Sequence, residues 1–375
     1  MKLPTYQDLS EEQLRIYEHL PDERLFVLGP PGSGKTTMAI WRARYLATAP
    51  LSRSVTVVTR NRLLAATALQ MAHGDADRRP IHVATMHSFA SSAYWSRFTR
   101  KIHEPMRYVY DWDRTIADYT AVQYVPTLDH LIIDEAQNLP IGFIRWAILF
   151  GARVVTIFAD EDQTTLAEHS SVVDICAAGM PQPIRLSRNF RNSPEIVNLM
   201  EQFHVGGMLP AAVVTQGRTF DPPHLLQIAS WDALTADVAQ RYRNQRYSIG
   251  VIVDTQASVD AVVARLKVAL PGERVDFYRS NLPQGAENAI VTREPGITVL
   301  TGESAIGLEF DAAYVQDLAA NLPPNGDRAK YRRLYMLCAR AQRSLILVDG
   351  PLPFYPPRLT AAQLASLPDE RYLAR

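Results

Sequence analysis

The run GPPGSGKT at 29–36 constrains this chain more than any other stretch. Four apolar residues, LFVL at 25–28, lead into it, and the helix-forming run TTMAIWRARYLA follows. A strand that turns through glycines straight into a helix is the G-x-x-x-x-G-K-[ST] pattern in its proper context. The glycines let backbone N–H groups face inward around phosphate oxygens, and the helix start adds positive potential. Gly29, Pro30, Gly32, Ser33 and Gly34 form the cradle. Lys35 is expected at the β- and γ-phosphates and Thr36 at Mg²⁺, with Thr37 next to it among the nucleotide-binding residues. The competing reading, a glycine turn without a ligand, loses to this flanking context.

Such a loop needs a parallel sheet around it, and further strands are legible. SVTVVT (54–59), IHVAT (81–85), HLIID (130–134) and RVVTIFAD (153–160) are apolar runs ending in polar residues. That is how a buried parallel strand reaches the ligand edge of a sheet. NRLLAATALQMA (61–72) has helical spacing. The second half repeats the style, with IGVIVD (249–254), VDFY (275–278), ITVLT (297–301), AAYVQDL (312–318) and SLILVD (344–349) as strands. SVDAVVARLKVAL and RRLYMLCARAQ are expected to be helices. The expected fold is therefore α/β, as two doubly wound parallel-sheet domains. Residues 1–184 form the first, with a small insertion at about 91–129, and 185–350 form the second. Residues 351–375 are expected to dock as a C-terminal tail.

HLIIDEAQNL at 130–139 supplies acids to the same sheet. Asp134 is placed to hold Mg²⁺, and Glu135 to orient and deprotonate a water. Paired acids also favour a first helical turn, but a phosphate loop in the same sheet decides for the metal and the base.

Composition narrows the partners. Lys plus Arg equals Asp plus Glu at 39 each among 375 residues, so no broad basic field exists to coat duplex DNA. Any nucleic-acid contact must be a local groove. The two cysteines, Cys176 and Cys338, have no metal-ligand spacing and fit a reducing cytoplasm. The polar start MKLPTYQDLSEEQ is not expected to be a signal peptide, and no apolar run approaches the roughly 18 residues of a membrane span.

In order and over nearly the whole chain, these segments resemble the superfamily 1 helicases of the UvrD, Rep and PcrA group. Gln13 in LSEEQLRIYEHL matches the glutamine that reads adenine. VVTRNRLLA (57–65), ATMHSFA (84–90), DEAQ (134–137), ADEDQTTL (159–166), LSRNFRN (186–192), ITVLTGESAIGLEFD (297–311) and LYMLCARAQRSLIL (334–347) match the later motifs in sequence. The resemblance implies two RecA-like domains with ATP in the cleft between them. It implies that Phe190 stacks on adenine, and that Arg191 and Arg340 act as arginine fingers. Gln163 would sense the γ-phosphate, while Gly307 and Glu309 would hold the nucleotide, Glu309 at the ribose. From the residues alone, Phe190 is equally a core aromatic, and each arginine is more often a surface ion pair.

The implied track is single-stranded nucleic acid, DNA over RNA, moving with 3′ to 5′ polarity. Its expected contacts are Thr59, Arg60, Asn61, Thr85, His87, Ser88, Arg188 and Thr301. Short hydroxyl and amide side chains suit phosphate contacts that slide. His87 alone is more often a capping or core histidine. The chain departs from the family at Arg60, Leu166, Ala167, Ile306 and Ala339, and lacks the large accessory insertions. The aromatic segment 94–124 is either a small subdomain core, the preferred reading, or a stacking platform. A rival reading is a nucleotide-gated ATPase subunit that needs a protein partner, for instance a nuclease in repair or phage defence. An RNA helicase is a further alternative.

Overall fold

The computed structural model describes residues 5–48, 50–72, 80–160, 170–204, 213–214, 220–283, 285–292, 294–316, 318, 322, 327–350 and 359–375. It divides into two compact units, Lys2–Ser187 and Arg188–Arg375. Each holds a six-stranded sheet in which every neighbouring pair is parallel. The fold is the expected α/β class, with helices returning the chain between parallel strands.

In the first unit the elements run α1 (Glu11–Tyr17), β1 (Leu25–Leu28), α2 (Lys35–Ala47), β2 (Val55–Thr59), α3 (Arg62–Ala72), β3 (Ile81–Thr85), α4 (Met86–Phe98) and α5 (Trp112–Ala121). They continue with β4 (His130–Ile133), α6 (Ile141–Trp146), β5 (Val154–Ala159), α7 (Val172–Ala177) and β6 (Ile184–Arg185). The strand order is β3-β2-β4-β5-β1-β6. β1, β2 and β4 are buried at every position, which is why they read as unbroken apolar runs rather than alternating ones. One face packs Val27, Val57, Ile132 and Phe158 against Met38, Ile40, Ala43 and Leu46 of α2. Arg42 is fully buried and donates to the carbonyls of Ile16, His19 and Leu20, which ties the end of α1 to α2.

The aromatic segment is mostly core. Tyr94, Trp112 and Tyr119 are buried, and Trp112 and Tyr119 meet Trp146 of α6 at ring separations of 6.1 and 5.7 Å. Gly142 lets α6 come this close, because a Cβ there would sit 2.5 Å from Cβ of Trp112.

The second unit adds β7 (Arg188–Asn189), α8 (Pro194–Glu201), β8 (Val213–Val214), β9 (His224–Gln227), α9 (Trp231–Gln245), β10 (Ser248–Val253), α10 (Gln256–Ala269) and β11 (Val275–Phe277). After these come β12 (Gly296–Thr301), β13 (Phe310–Val315), α11 (Arg328–Cys338), β14 (Ala341–Asp349) and α12 (Ala361–Ala365). The main sheet runs β11-β12-β10-β13-β14-β9, and β7 pairs with β8 in a separate ribbon. Val251, Val299, Tyr314 and Ile346 pack with Val238, Val259 and Leu266. The tail docks on this sheet: Leu225 N–H donates to the Ala374 carbonyl and Ala374 N–H to that of Pro223, each at 2.8 Å.

Boundaries differ from expectation most clearly at two places. The helix expected through Gln342 stops at Cys338, because the Arg340 carbonyl accepts from Phe310 N–H at 2.9 Å and draws the following residues into β14. The strand expected at 312–318 starts at Phe310 and ends at Val315, since the Gln316 side chain turns to cap Asp254 N–H.

Candidate functional site

Parallel strands bring their carboxyl ends to one edge. β5 lies between β4 and β1 in the first sheet. Asp160, just past β5, is therefore flanked by Asp134 after β4 and Gly29 after β1. The register has Leu28 beside Ala159, which sets Gly29 level with Asp160, and Ile133 beside Ile157, which sets Asp134 two positions before it along the edge.

The loop is built as the sequence requires. Gly32 and Gly34 take φ of 78° and 86°, a left-handed conformation that glycine adopts without strain. A Cβ on Gly29 would lie 2.7 Å from Oγ of Ser33, so this turn closes only over a bare backbone. Ser33 Oγ donates to the Pro30 carbonyl at 2.8 Å. Lys35 curls back beneath the loop, its Nζ donating to the carbonyls of Gly29 at 2.7 Å and Pro30 at 2.9 Å. It also forms a buried ion pair with Asp160 at 3.1 Å.

Thr36 Oγ1 donates to Oδ2 of Asp134 at 2.7 Å. Asp134 is fully buried, and that burial, followed by the charge of Glu135, raises its carboxyl well above the usual range, against the lowering pull of Thr36 and Lys35. Glu135 sits in the left-handed region at φ 56°, an uncommon place for this residue and one that turns the chain sharply at the strand end. Its Oε2 accepts from Nε2 of Gln137 at 2.7 Å. Gln137 Oε1 in turn accepts from Asp160 N–H at 2.9 Å. Glu135, Gln137, Asp160 and Lys35 thus form one connected network. Gln137 and Asp160 were not singled out in the sequence, although both lie inside matched motifs.

The donor set suits Mg²⁺ and a nucleotide. Mg²⁺ favours one or two protein oxygens plus phosphate and water, and Thr36 and Asp134 offer such a pair. The glycine cradle that a Cβ would fill suits phosphate. Gln13, expected at adenine, lies over the loop: its Nε2 donates to the Ser33 carbonyl at 3.3 Å, and its Oε1 accepts from Ser10 N–H at 3.1 Å. Gln163 lies outside the described residues.

The residues expected in the second unit do gather. Arg191 pairs with Glu309, and its Nη1 lies 3.5 Å from the Ala339 carbonyl. Gln342 donates to the other oxygen of Glu309 at 3.2 Å. Arg340 is 1% exposed and donates to the carbonyls of Met336 at 2.9 Å and Leu308 at 3.3 Å. Glu309 and Arg340 each precede a strand, β13 and β14, so this cluster stands at the amino edge of the second sheet. Phe190, half-buried, adjoins Arg191, and Gly307 takes φ 81° in the turn before Glu309. Thr301 ends β12, at the opposite, carboxyl edge of that sheet.

The expected track residues divide by accessibility. Thr59 is buried and spends its hydroxyl on the Asn61 carbonyl at 3.2 Å, so the structure makes it a turn former and not a surface contact. Thr301 is likewise buried, with its hydroxyl 3.2 Å from Oγ of Ser304. Thr85 caps α4, accepting from the N–H of exposed Ser88 at 3.3 Å. Asn61 Oδ1 accepts from Leu64 N–H at 2.8 Å, while its Nδ2 is buried and has no acceptor among the described residues. His87 meets the Tyr108 carbonyl at 2.9 Å. Arg60 is half-buried at the same edge, and Arg188 is exposed in the second unit.

Among the described residues no helix is long and apolar enough to cross a membrane. Residues 13–167, which carry the network of Lys35, Asp160, Gln137 and Glu135, match a family model described as an AAA domain. No curated protein matches the chain. A solved structure, the C-terminal domain of a possible DNA helicase from Lactobacillus plantarum WCFS1, is 21% identical over 49% of this chain and 96% of that chain, with a TM-score of 0.35.

Proposed function

We propose that this chain hydrolyses ATP with Mg²⁺ and couples the cycle to movement along single-stranded nucleic acid, DNA over RNA, in the manner of UvrD-like superfamily 1 motors. The observation that carries the reading is the joined network of Lys35, Asp160, Gln137 and Glu135 beside the Thr36–Asp134 pair. Mg²⁺-bound ATP would supply the phosphoryl group and neutralise part of its charge. Lys35 keeps a cation at the loop, Thr36 and Asp134 hold metal ligands in place, and Glu135 orients a water and takes its proton. Gln137 fixes one oxygen of Glu135, and the other has no protein donor among the described residues. The AAA-domain match supports nucleotide binding. Exposed Ser88, at the sheet edge where the loop lies, supports a strand contact there.

Steady-state ATP turnover with single-stranded DNA, single-stranded RNA and duplex, at two salt concentrations, tests this reading. Stimulation by one single strand, weakened by salt as phosphate contacts require, supports it. Turnover indifferent to every nucleic acid sinks it. The buried carbonyl-bound state of Arg340 favours a second reading, a nucleotide-gated subunit that needs a protein partner such as a nuclease to free the arginine. A stoichiometric co-purifying partner that is required for turnover distinguishes the two.

A further inference from the structure

His87, Ser91 and Trp95 are spaced four apart on α4, so they share one helix face and span about 12 Å along its axis. The stripe begins beside Thr85, at the carboxyl edge of the first sheet. It leads to a cavity of about 850 Å³ lined by Ser91, Trp95, Lys101, His103, Tyr110 and Arg114, among others.

Two features of this groove are not accounted for by packing. Trp95 is 54% exposed, whereas Tyr94, Trp112 and Tyr119 of the same segment are each under 9%. An indole with this much free surface is a large apolar area left in water. The second feature is charge. Lys101 and Arg114 are exposed, and neither has an acidic partner among the described residues. Arg100 is different, being tied to Asp118 at 2.9 Å. Glu104, the one carboxylate on the lining, accepts from the backbone N–H of Tyr108. The groove is therefore locally cationic in a chain whose net charge is zero.

A free aromatic face beside unpaired cations matches the chemistry of single strands, whose bases stack while their phosphates are neutralised. An acidic protein segment would satisfy the cations but leave the indole without a purpose. We propose that this groove binds single-stranded nucleic acid, with a base stacked on Trp95 and phosphates on Lys101 and Arg114, continuing the contact that starts at Thr85 and Ser88. The inference rests on the nucleic-acid function proposed above and adds a site to it.

Fluorescence anisotropy of the full chain with labelled oligo-dT and oligo-U is the test, using Trp95→Ala, Trp95→Phe and the double variant Lys101→Ala/Arg114→Ala. Trp95→Ala is expected to weaken binding about 5- to 150-fold, the range for one lost base–aromatic stack, and Trp95→Phe to recover most of it. The double variant is expected to flatten the slope of log affinity against log salt by about 1.4, or ~0.7 per lost phosphate contact on a single strand. Should Trp95→Ala misfold, Trp95→Phe and the double variant still decide. If the wild-type chain binds and all variants match it in affinity and slope, the groove proposal is overturned while the broader function stands. If the variants instead lose binding to poly-glutamate alone, the groove belongs to an acidic protein, which also overturns it. A wild-type chain that binds no single strand defeats the nucleic-acid function itself.

Discussion

Lys35 and Asp160 form a buried ion pair at 3.1 Å, with 6% and 0% of their side chains exposed, although 125 residues separate them. Removing one partner of a buried pair leaves an uncompensated charge, which costs about 3–5 kcal/mol. Lys35→Ala is therefore expected to lose stability as well as ATP turnover. Adding Asp160→Asn should recover part of the stability but none of the turnover, because the stranded carboxylate is gone while the phosphate-binding ammonium is still missing. Urea unfolding of the single and double variants checks this, and an unchanged midpoint for Lys35→Ala would show that the pair carries no stability.

Glu135→Gln keeps the size of the side chain and removes its basicity. Turnover should fall by about 10²–10⁴, the usual weight of a positioned general base. ATP affinity should stay within a few-fold of wild type, because Lys35, Thr36 and Asp134 are untouched. Equilibrium binding of a fluorescent ATP analogue, set beside single-turnover hydrolysis, separates the two effects. Parallel losses in both would give Glu135 a structural role only.

The parts of this chain that were legible in its sequence are those fixed by local chemistry. β1, β2, β4 and β5 show as apolar runs because both their faces are buried, and the glycine loop shows because its turn needs φ near 80° at Gly32 and Gly34. The edge strands Ile184–Arg185 and His224–Gln227 leave little signal in the sequence: they are short, only partly buried, and carry no long apolar run. The helix Trp231–Gln245 is equally hard to read, its polar face diluting the apolar spacing. The role of Asp160 was hidden for a different reason. An acid at the end of a strand is visible, but its pairing with Lys35 depends on β5 lying between β4 and β1, and strand order is a property of the assembled sheet. Thr59 falls in the same gap, since a threonine at a strand end reads alike whether it faces a ligand or its own turn.

Two buried groups in the first unit should give its stability opposite pH dependences. Burial, then the nearby Arg42, drive His130 from 6.5 down to about 3. The unfolded chain takes up this proton and the folded one refuses it. The contribution of His130 is thus complete above pH 6.5 and is lost as pH falls toward about 3, by about 1.4 kcal/mol per unit. Burial, then the charge of Glu135, raise Asp134 above the ordinary 3.8, so the folded chain holds a proton the unfolded one has released, and stability declines as pH rises from 3.8. Differences from single variants separate the two. The stability of wild type minus His130→Asn should shrink toward acid, and that of wild type minus Asp134→Asn should shrink toward neutral pH. Differences flat with pH in nucleotide-free protein would mean that neither group titrates abnormally.

Gly250 on β10 supports the cluster around Arg191 from below. A Cβ there would lie 2.4 Å from Cδ2 of Phe310, whose ring is fully buried and which follows Glu309 directly in the chain. Overpacking of a filled core costs about 1–3 kcal/mol, so Gly250→Ala is expected to destabilise the second unit by that amount. The displaced Phe310 should carry Glu309 with it and disturb the ion pair to Arg191, lowering turnover although no catalytic residue has changed. The companion Phe310→Leu, which makes room for the added methyl, should restore part of both losses in the double variant. Measured by urea unfolding and ATP turnover, additive losses in the double variant would show that Gly250 and Phe310 are not coupled.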